Sequence, residues 1–329
     1  LNAESTEGMI RLFRYVLAFT LAVESIGAVL LSFRFIPSYG MKTGIWYSIF
    51  HSISAFCNAG FDTLGDSLYP LRSDYLVNIT IMALIVIGGL GFMVTSELYK
   101  KRNLKNLSTH TKLVLITTIF LIVIGALVFF IIESGDGGVL QKESLGAGIL
   151  ESFFQSVSAR TAGFYSVELG KIKESTALVL IILMFIGGSP GSTAGGVKTT
   201  TFAILFLATA SVIKNEKEPV IFKRRISDQS IKKALSIVFI SIFIVLIVSF
   251  FISLIDGFNF IDILYETVSA LATVGATRGI TPELSKVAKI LIGFCMYLGR
   301  IGPMTMAFAF GLKTDEKLIR YPESFISIG

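Results

Sequence analysis

The sequence predicts an all-α polytopic membrane protein assembled from repeated units around a pore. The first observation is composition: the 329 residues are 53% hydrophobic and only 16% charged. Mean hydropathy is +0.75, outside the usual range of soluble domains. The second is a series of apolar runs, at Leu12–Phe33, Tyr75–Phe92, Leu113–Ile132, Ala177–Gly187, Phe202–Ile213, Ala234–Ile255 and Val287–Leu298. Several reach the ~20 residues that cross a bilayer core. The third is a short Ser-Ala segment closing on a glycine, which appears three times between the runs, roughly a hundred residues apart. Its glycines are Gly60, Gly163 and Gly275.

Each unit reads as a spanning helix, a short helix leading into the glycine segment, and a second spanning helix. The first runs from about Ile10 to Tyr99. Its first helix carries Glu24, its short helix covers Gly44–Cys57, and its last helix ends at Gly88-Gly89-Leu90-Gly91. The second unit runs from about Thr109 to Ile213, with its short helix at Gly146–Arg160. The third runs from about Ser230 to Lys313, with its short helix at Phe260–Ala272. The short helices are too brief and too polar to cross a membrane. They fit re-entrant half-helices, which are tolerated only where protein buries them or water reaches them.

Lys and Arg gather in two linkers. One holds Lys100, Lys101, Arg102, Lys105 and Lys112; the other holds Lys214, Lys217, Lys223, Arg224, Arg225, Lys232 and Lys233. The positive-inside rule puts these linkers in the cytoplasm and the mouths of the glycine segments outside. The charged tail from Lys313 to Gly329 reads as cytoplasmic. The net charge of +6 is thus a topology signal and no sign of a nucleic-acid partner. Cys57 and Cys295 form neither a disulfide framework nor a CxxC site. His51 and His110 are isolated, which leaves no convergent set for metal ligation or catalysis, so the chain reads as no enzyme. There is no cleavable signal pattern.

The chemistry of the glycine segments is that of a dehydrated cation. Such an ion must regain the oxygens it lost on leaving water, and rings of backbone carbonyls supply them. Turning successive carbonyls inward requires backbone angles that glycine adopts at little steric cost. The candidate filter residues are Asn58, Ala59 and Gly60, then Thr161, Ala162 and Gly163, then Thr273, Val274 and Gly275. A blander reading, in which each glycine merely ends an interfacial half-helix, fits one copy better than three. Arg160 is odd in a cation filter and is expected to point backward and brace the loop. Asp62 either concentrates cations at the outer mouth or is an ordinary exposed carboxylate. Glu24 and Glu133 read as interfacial.

A second candidate element is Gly187-Gly188-Ser189-Pro190-Gly191-Ser192-Thr193-Ala194-Gly195-Gly196-Val197-Lys198. So many glycines and a proline cannot remain a regular helix. Gly191 and Gly196 have phosphate-loop separation, but Val197 intervenes before Lys198-Thr199, and the segment lies between apolar runs. An irregular segment at membrane depth lines a cavity. It is expected to be a mobile barrier under the filter, with little packing to hold it still; the alternative is a fixed kink packed through small residues. Lys198 either holds this loop or snorkels. Arg300, in Leu298-Gly299-Arg300-Ile301-Gly302-Pro303, is an intramembrane cation that needs a partner. It either donates to carbonyls freed by the loop and brakes cation flow, or satisfies the break at Pro303.

The three filter-like segments, the Gly187–Gly196 loop and the Gly299-Arg300-Ile301-Gly302-Pro303 segment together resemble the superfamily of potassium transporters that includes KtrB, TrkH and the plant HKT proteins. The resemblance covers nearly the whole chain. The tail Arg320-Tyr321-Pro322 and the short loops look most like the KtrB branch. It implies M1-P-M2, potassium-channel-like repeats around a pseudo-fourfold pore. Residues 1–108 would be the second repeat, 109–229 the third with its broken gate helix, and 230–329 the fourth with a cytoplasmic tail. A first repeat with its own filter segment is expected upstream of Leu1. The resemblance further implies potassium uptake across the plasma membrane, channel-like and gated by the loop, with sodium as an activator in some members. It implies a homodimer in the lipid bilayer under a cytoplasmic nucleotide-binding ring of KtrA or TrkA type. Glycine at all three filter positions fits potassium; serine there fits sodium. A sodium-coupled potassium symporter with alternating access is the competing function.

Overall fold

The computed structural model describes residues 6–101, 103–216 and 218–302. Pro303 and the tail, including Arg320-Tyr321-Pro322, lie outside the described residues. Long helices α1 (Thr6–Tyr39), α5 (Thr109–Glu133) and α9 (Asp228–Ile255) are each followed by a half-helix: α2 (Met41–Phe56), α6 (Leu145–Ala159) and α10 (Phe260–Leu271). Then come α3 (Tyr75–Gly89) with α4 (Phe92–Lys100), α7 (Glu174–Phe185) with α8 (Thr199–Ile213), and α11 (Lys286–Ile301). A two-residue hairpin, Val220–Ile221 with Arg224–Arg225, closes the second basic linker.

Three helices, over Phe13–Tyr39, Thr109–Glu133 and Asp228–Ile255, are long and apolar enough to cross a membrane. Their outward sides are apolar too: Ile119, Phe120 and Ile131 on α5, and Phe239, Phe243 and Leu254 on α9, are all exposed. In water such faces would be a liability; against lipid they are ordinary. The half-helices have 16, 15 and 12 residues. At 1.5 Å per residue these are about 24, 22 and 18 Å long, short of the roughly 30 Å core.

Polar caps fix where several helices start. Asp74, Ser108, Ser144, Ser227 and Ser285 each accept from a backbone amide three residues on, contacts worth about 1 kcal/mol apiece. The apolar cores then run from one helix set into the next. Leu31, Phe35, Phe56 and Ile81 of the first set pack with Phe154 and Phe164 of the second. Phe129, Leu180 and Met184 of the second pack with Tyr265 and Leu271 of the third. Ile252, Ile263, Ala288 and Cys295 close the third.

Two spans are interrupted. Helix α3 ends within the Gly88–Gly91 cluster, as the sequence suggested, but the helical chain does not stop there. The chain bends by 98° there and resumes as α4, because Phe92–Lys100 still favours helix. The second interruption is longer, with residues 186–198 separating α7 from α8.

Candidate functional site

Each half-helix runs into a turn of the same backbone design. Amides of Ala59, Ala162 and Val274 donate to the carbonyls of Ser54, Ser158 and Ser269 at 2.8, 2.9 and 2.8 Å. In the first two turns the serine hydroxyl also grips the carbonyl just past the glycine, Ser54 to Phe61 and Ser158 to Phe164. φ is positive at Asn58, Thr161 and Thr273 (51°, 81° and 57°) and again at Gly60, Gly163 and Gly275 (71°, 82° and 84°). The residues between them do not share that sign. Alternating handedness turns successive peptide groups to one side of the chain, which is what a row of carbonyl ligands requires.

The turns stand against one another in chain order. A Cβ on Gly60 would overlap the carbonyl oxygen of Ala162, and one on Gly163 would overlap that of Val274. A Cβ on Gly275 would meet nothing within 4 Å. The rims behind them are tied by side chains. Tyr165 N donates to Ser67 Oγ at 3.0 Å, and Leu68 N to Tyr165 O at 3.0 Å. Arg278 pairs with Asp262 at 2.6 Å and donates to the carbonyls of Leu169 and Ile172. Arg72 bonds Glu143 at 2.8 Å.

The 186–198 segment lies directly beneath all three turns. Thr193 Oγ1 donates to Phe56 O at 3.0 Å and accepts from Asn58 Nδ2 at 3.3 Å. Gly187 is so near the second turn that a Cβ there would lie 2.9 Å from Thr161 Cγ2. A Cβ on Gly195 would overlap Thr273 Oγ1 of the third. The loop is also pinned, contrary to the expectation of little packing. Gly187 N donates to Val197 O, Gly188 N to Gly195 O and Thr199 N to Gly188 O. Ser189 N and Thr193 N donate to the carbonyls of Gly89 and Gly88, and Phe92 N to Gly191 O. Absent side chains thus let main chains approach closely enough to zip the two helix breaks together. Ser192 Oγ donates to Ser189 O at 2.6 Å, Ser189 and Thr199 hydroxyls meet at 3.0 Å, and Pro190 carries the loop toward its exposed apex at Gly191.

Below the loop is a cavity of about 380 Å³, lined by Ser192, Ala194, Gly195, Gly196, Lys198 and Arg300 among others. Lys198 Nζ donates to Ala194 O at 2.8 Å, so it holds the loop. Arg300 faces the cavity from the last turn of α11 and is exposed. Among the described residues no hydrogen bond joins it to the loop. The guanidinium that does reach the loop is Arg160, whose Nη2 donates to Gly187 O at 3.2 Å. Arg160 therefore points backward and braces, as its place in the sequence suggested.

The other singled-out residues serve the scaffold. Asp62 Oδ1 accepts from Leu64 N and Gly65 N at 2.9 and 2.7 Å, an Asx-type turn. Glu133 is buried and accepts from Val139 N and Lys173 N. His51 bonds Tyr47 O within an aromatic cluster that includes Phe35 and Phe164. The Thr193–Asn58 link and the Arg278 clasp were not foreseen. Both join residues more than a hundred positions apart, and no local pattern marks them.

Half-helices, glycine turns and broken spans define a helical membrane transport protein. The family described as TrkH, cation transport protein, matches residues 3–320. The chain is 40% identical over its full length to Ktr system potassium uptake protein B of Bacillus subtilis, covering 74% of that protein. It is 37% identical to potassium/sodium uptake protein NtpJ of Enterococcus hirae, again covering 74%. The crystal structure of the potassium transporter TrkH from Vibrio parahaemolyticus superposes with a TM-score of 0.78 at 18% identity, over 94% of this chain and 66% of that one. That match shows a shared fold, of which this chain spans just under two thirds. The chain belongs to the TrkH family. The named relatives are ion transporters and not enzymes.

Proposed function

We propose that this chain forms most of the pathway of a potassium uptake transporter of the Ktr/TrkH type. The observation that carries the reading is the set of three turns with matching positive-φ pairs, arranged around one glycine-rich loop. Asn58–Gly60, Thr161–Gly163 and Thr273–Gly275 are three walls of a carbonyl-lined filter, built by repeats at 1–108, 109–229 and 230–329. The open side of Gly275 and the exposed apolar face of α2, with Trp46, Ile49 and Ile53, give the fourth wall a place to pack. Gly187–Gly196 with Lys198 and Arg300 is the gate. Potassium is the transported ion. The basic linkers face the cytoplasm of a plasma-membrane protein, which pairs as a homodimer and meets a cytoplasmic nucleotide-binding regulatory ring.

A sodium-coupled symport is the second reading, favoured by the likeness to a relative named for both potassium and sodium uptake. One experiment separates them. The protein is reconstituted in vesicles, and potassium flux is followed under a potassium gradient with and without sodium. Channel-like conduction gives flux that follows the potassium Nernst potential at any sodium concentration. A fixed sodium-to-potassium ratio supports symport instead, and no potassium flux in either condition defeats both.

A further inference from the structure

Arg160 occupies an unusual place for a cation. It immediately precedes Thr161, the left-handed residue of the second turn, and is only 7% exposed. Among the described residues it forms no ion pair. A guanidinium offers five N–H donors, yet the one bond made is from Nη2 to Gly187 O, and Nε is without a partner. Beside it is a small cavity of about 10 Å³, lined by Val157, Thr118, Gly89 and Gly188 among others. The Thr118 hydroxyl there is also unpartnered. Two orphan polar groups and room for about one probe sphere suit a single buried water.

A buried charge held by one neutral acceptor is costly for the fold. Its acceptor is the first carbonyl of the loop, and the same glycine lies against the Thr161 methyl. We infer that Arg160 is a positioning residue for gating, a latch that ties the root of the Gly187–Gly196 loop to the back of the second filter turn. This rests on reading that loop as the gate. Moving the loop aside takes Gly187 O away from the guanidinium and leaves a positive charge beside the opened cation path. Both consequences favour the closed loop. The latch acts on the loop and not on the ligating turn, so it sets how often the path is open without setting which ion passes.

The test uses Arg160→Met, which removes donors and charge, and Arg160→Gln, which keeps a neutral donor. Both are compared with the unmodified protein in vesicles at equal protein amount. A charge-assisted hydrogen bond corresponds to roughly a tenfold shift in the closed-to-open ratio or more. Arg160→Met is therefore expected to raise potassium flux about tenfold, Arg160→Gln less, both with an unchanged potassium-to-sodium permeability ratio. A lowered permeability ratio would mean that Arg160 shapes the filter wall, and overturns the latch. Unchanged or reduced flux overturns it as well. A loop-shortened variant within Gly187–Gly196 runs alongside. If it raises flux while Arg160→Met does not, the latch fails and the gate stands; if neither does, both fail. Should Arg160→Met yield too little protein, Arg160→Gln is read by thiol labelling. Ser189, fully buried in the loop, is changed to Cys in a Cys57→Ser background. Faster labelling of Ser189→Cys with Arg160→Gln than without supports the latch, and equal labelling overturns it.

Discussion

The second and third glycine turns, proposed as filter walls, share a backbone and differ in their surroundings. Gly163 is buried, with the Val274 carbonyl where a side chain would begin; Gly275 is exposed, with nothing within 4 Å in that direction. Both have φ near 80°, at 82° and 84°. Within this chain a side chain at Gly275 meets only the dihedral cost, on the side where the fourth wall is proposed to pack; one at Gly163 meets that cost and a main-chain oxygen that cannot turn aside. Substitution at Gly163 tests a close approach made within this chain; substitution at Gly275 tests the side left for the proposed fourth wall. The largest effect is expected at Gly163→Ala. Forcing a Cβ into the left-handed region costs about 1–2 kcal/mol, and overpacking adds roughly 1–3 kcal/mol. Potassium uptake at equal membrane abundance should fall by about a hundredfold or more, with Gly60→Ala close behind because it meets the Ala162 carbonyl. Near-normal uptake by Gly163→Ala would break the comparison.

Gly275→Ser sharpens it. Within this chain only the dihedral term applies, so flux should fall less than in Gly163→Ala; a loss as large as that of Gly163→Ala means that the fourth wall brings main chain to that side. The hydroxyl, however, adds a ligand at the ring, and the potassium-to-sodium permeability ratio should drop. Reversal potentials under mixed gradients report that ratio directly. An unchanged ratio removes Gly275 from the filter, whatever happens to Gly163.

The same contrast explains how much was legible in the sequence. The half-helices were, to within a few residues at each end, because amphipathic runs punctuated by serine and glycine mark them locally. The turns were legible as repeats, and Arg160 as a brace, since a guanidinium in a cation filter has to point elsewhere. What stands against each glycine was not. Gly60, Gly163 and Gly275 look alike in the chain, and only the fold brings the Ala162 and Val274 carbonyls to the first two. The loop's hydrogen bonding was hidden for a similar reason. Glycine and serine read as loose, yet their bareness lets the 186–198 segment hydrogen-bond to the Gly88–Gly91 break. Of the two roles open to Arg300 from sequence, donor to the loop is filled among the described residues by Arg160.

A smaller effect is expected where the first turn meets the loop. Thr193 bridges Phe56 O and Asn58 Nδ2; the second turn touches the loop through the Thr161 methyl and the Arg160 bond to Gly187 O, and the third through Thr273 Oγ1 beside Gly195. Thr193→Val keeps shape and removes the bridge, leaving two polar groups to find other partners. At about 1 kcal/mol for such a bond, flux through a gate should rise some threefold to fivefold. Thr193→Ser should behave as the unmodified protein. A loss of flux in Thr193→Val, at normal abundance, would mean that this contact shapes the filter and does not restrain the loop.

The smallest effect concerns the residues just beyond the glycines, where the turns differ most. Asp62 follows the first turn, Tyr165 the second and Thr277 the third. Thr277 bonds Glu266 of its own half-helix and Tyr165 bonds the neighbouring rim, while Asp62 bonds only its own loop backbone at Leu64 and Gly65. If Asp62 is a local brace, Asp62→Asn, which keeps an oxygen acceptor, should change potassium flux by less than about twofold, and Asp62→Ala should cost about 1 kcal/mol of rim stability. If it gathers cations by charge, both variants should lower uptake alike at low potassium, and the loss should shrink as ionic strength rises and screens the carboxylate. Uptake measured across potassium and salt concentrations distinguishes the two. The paired backbone amides favour the brace: a carboxylate oxygen held by two N–H groups is turned into its own loop, and less of its charge faces the mouth.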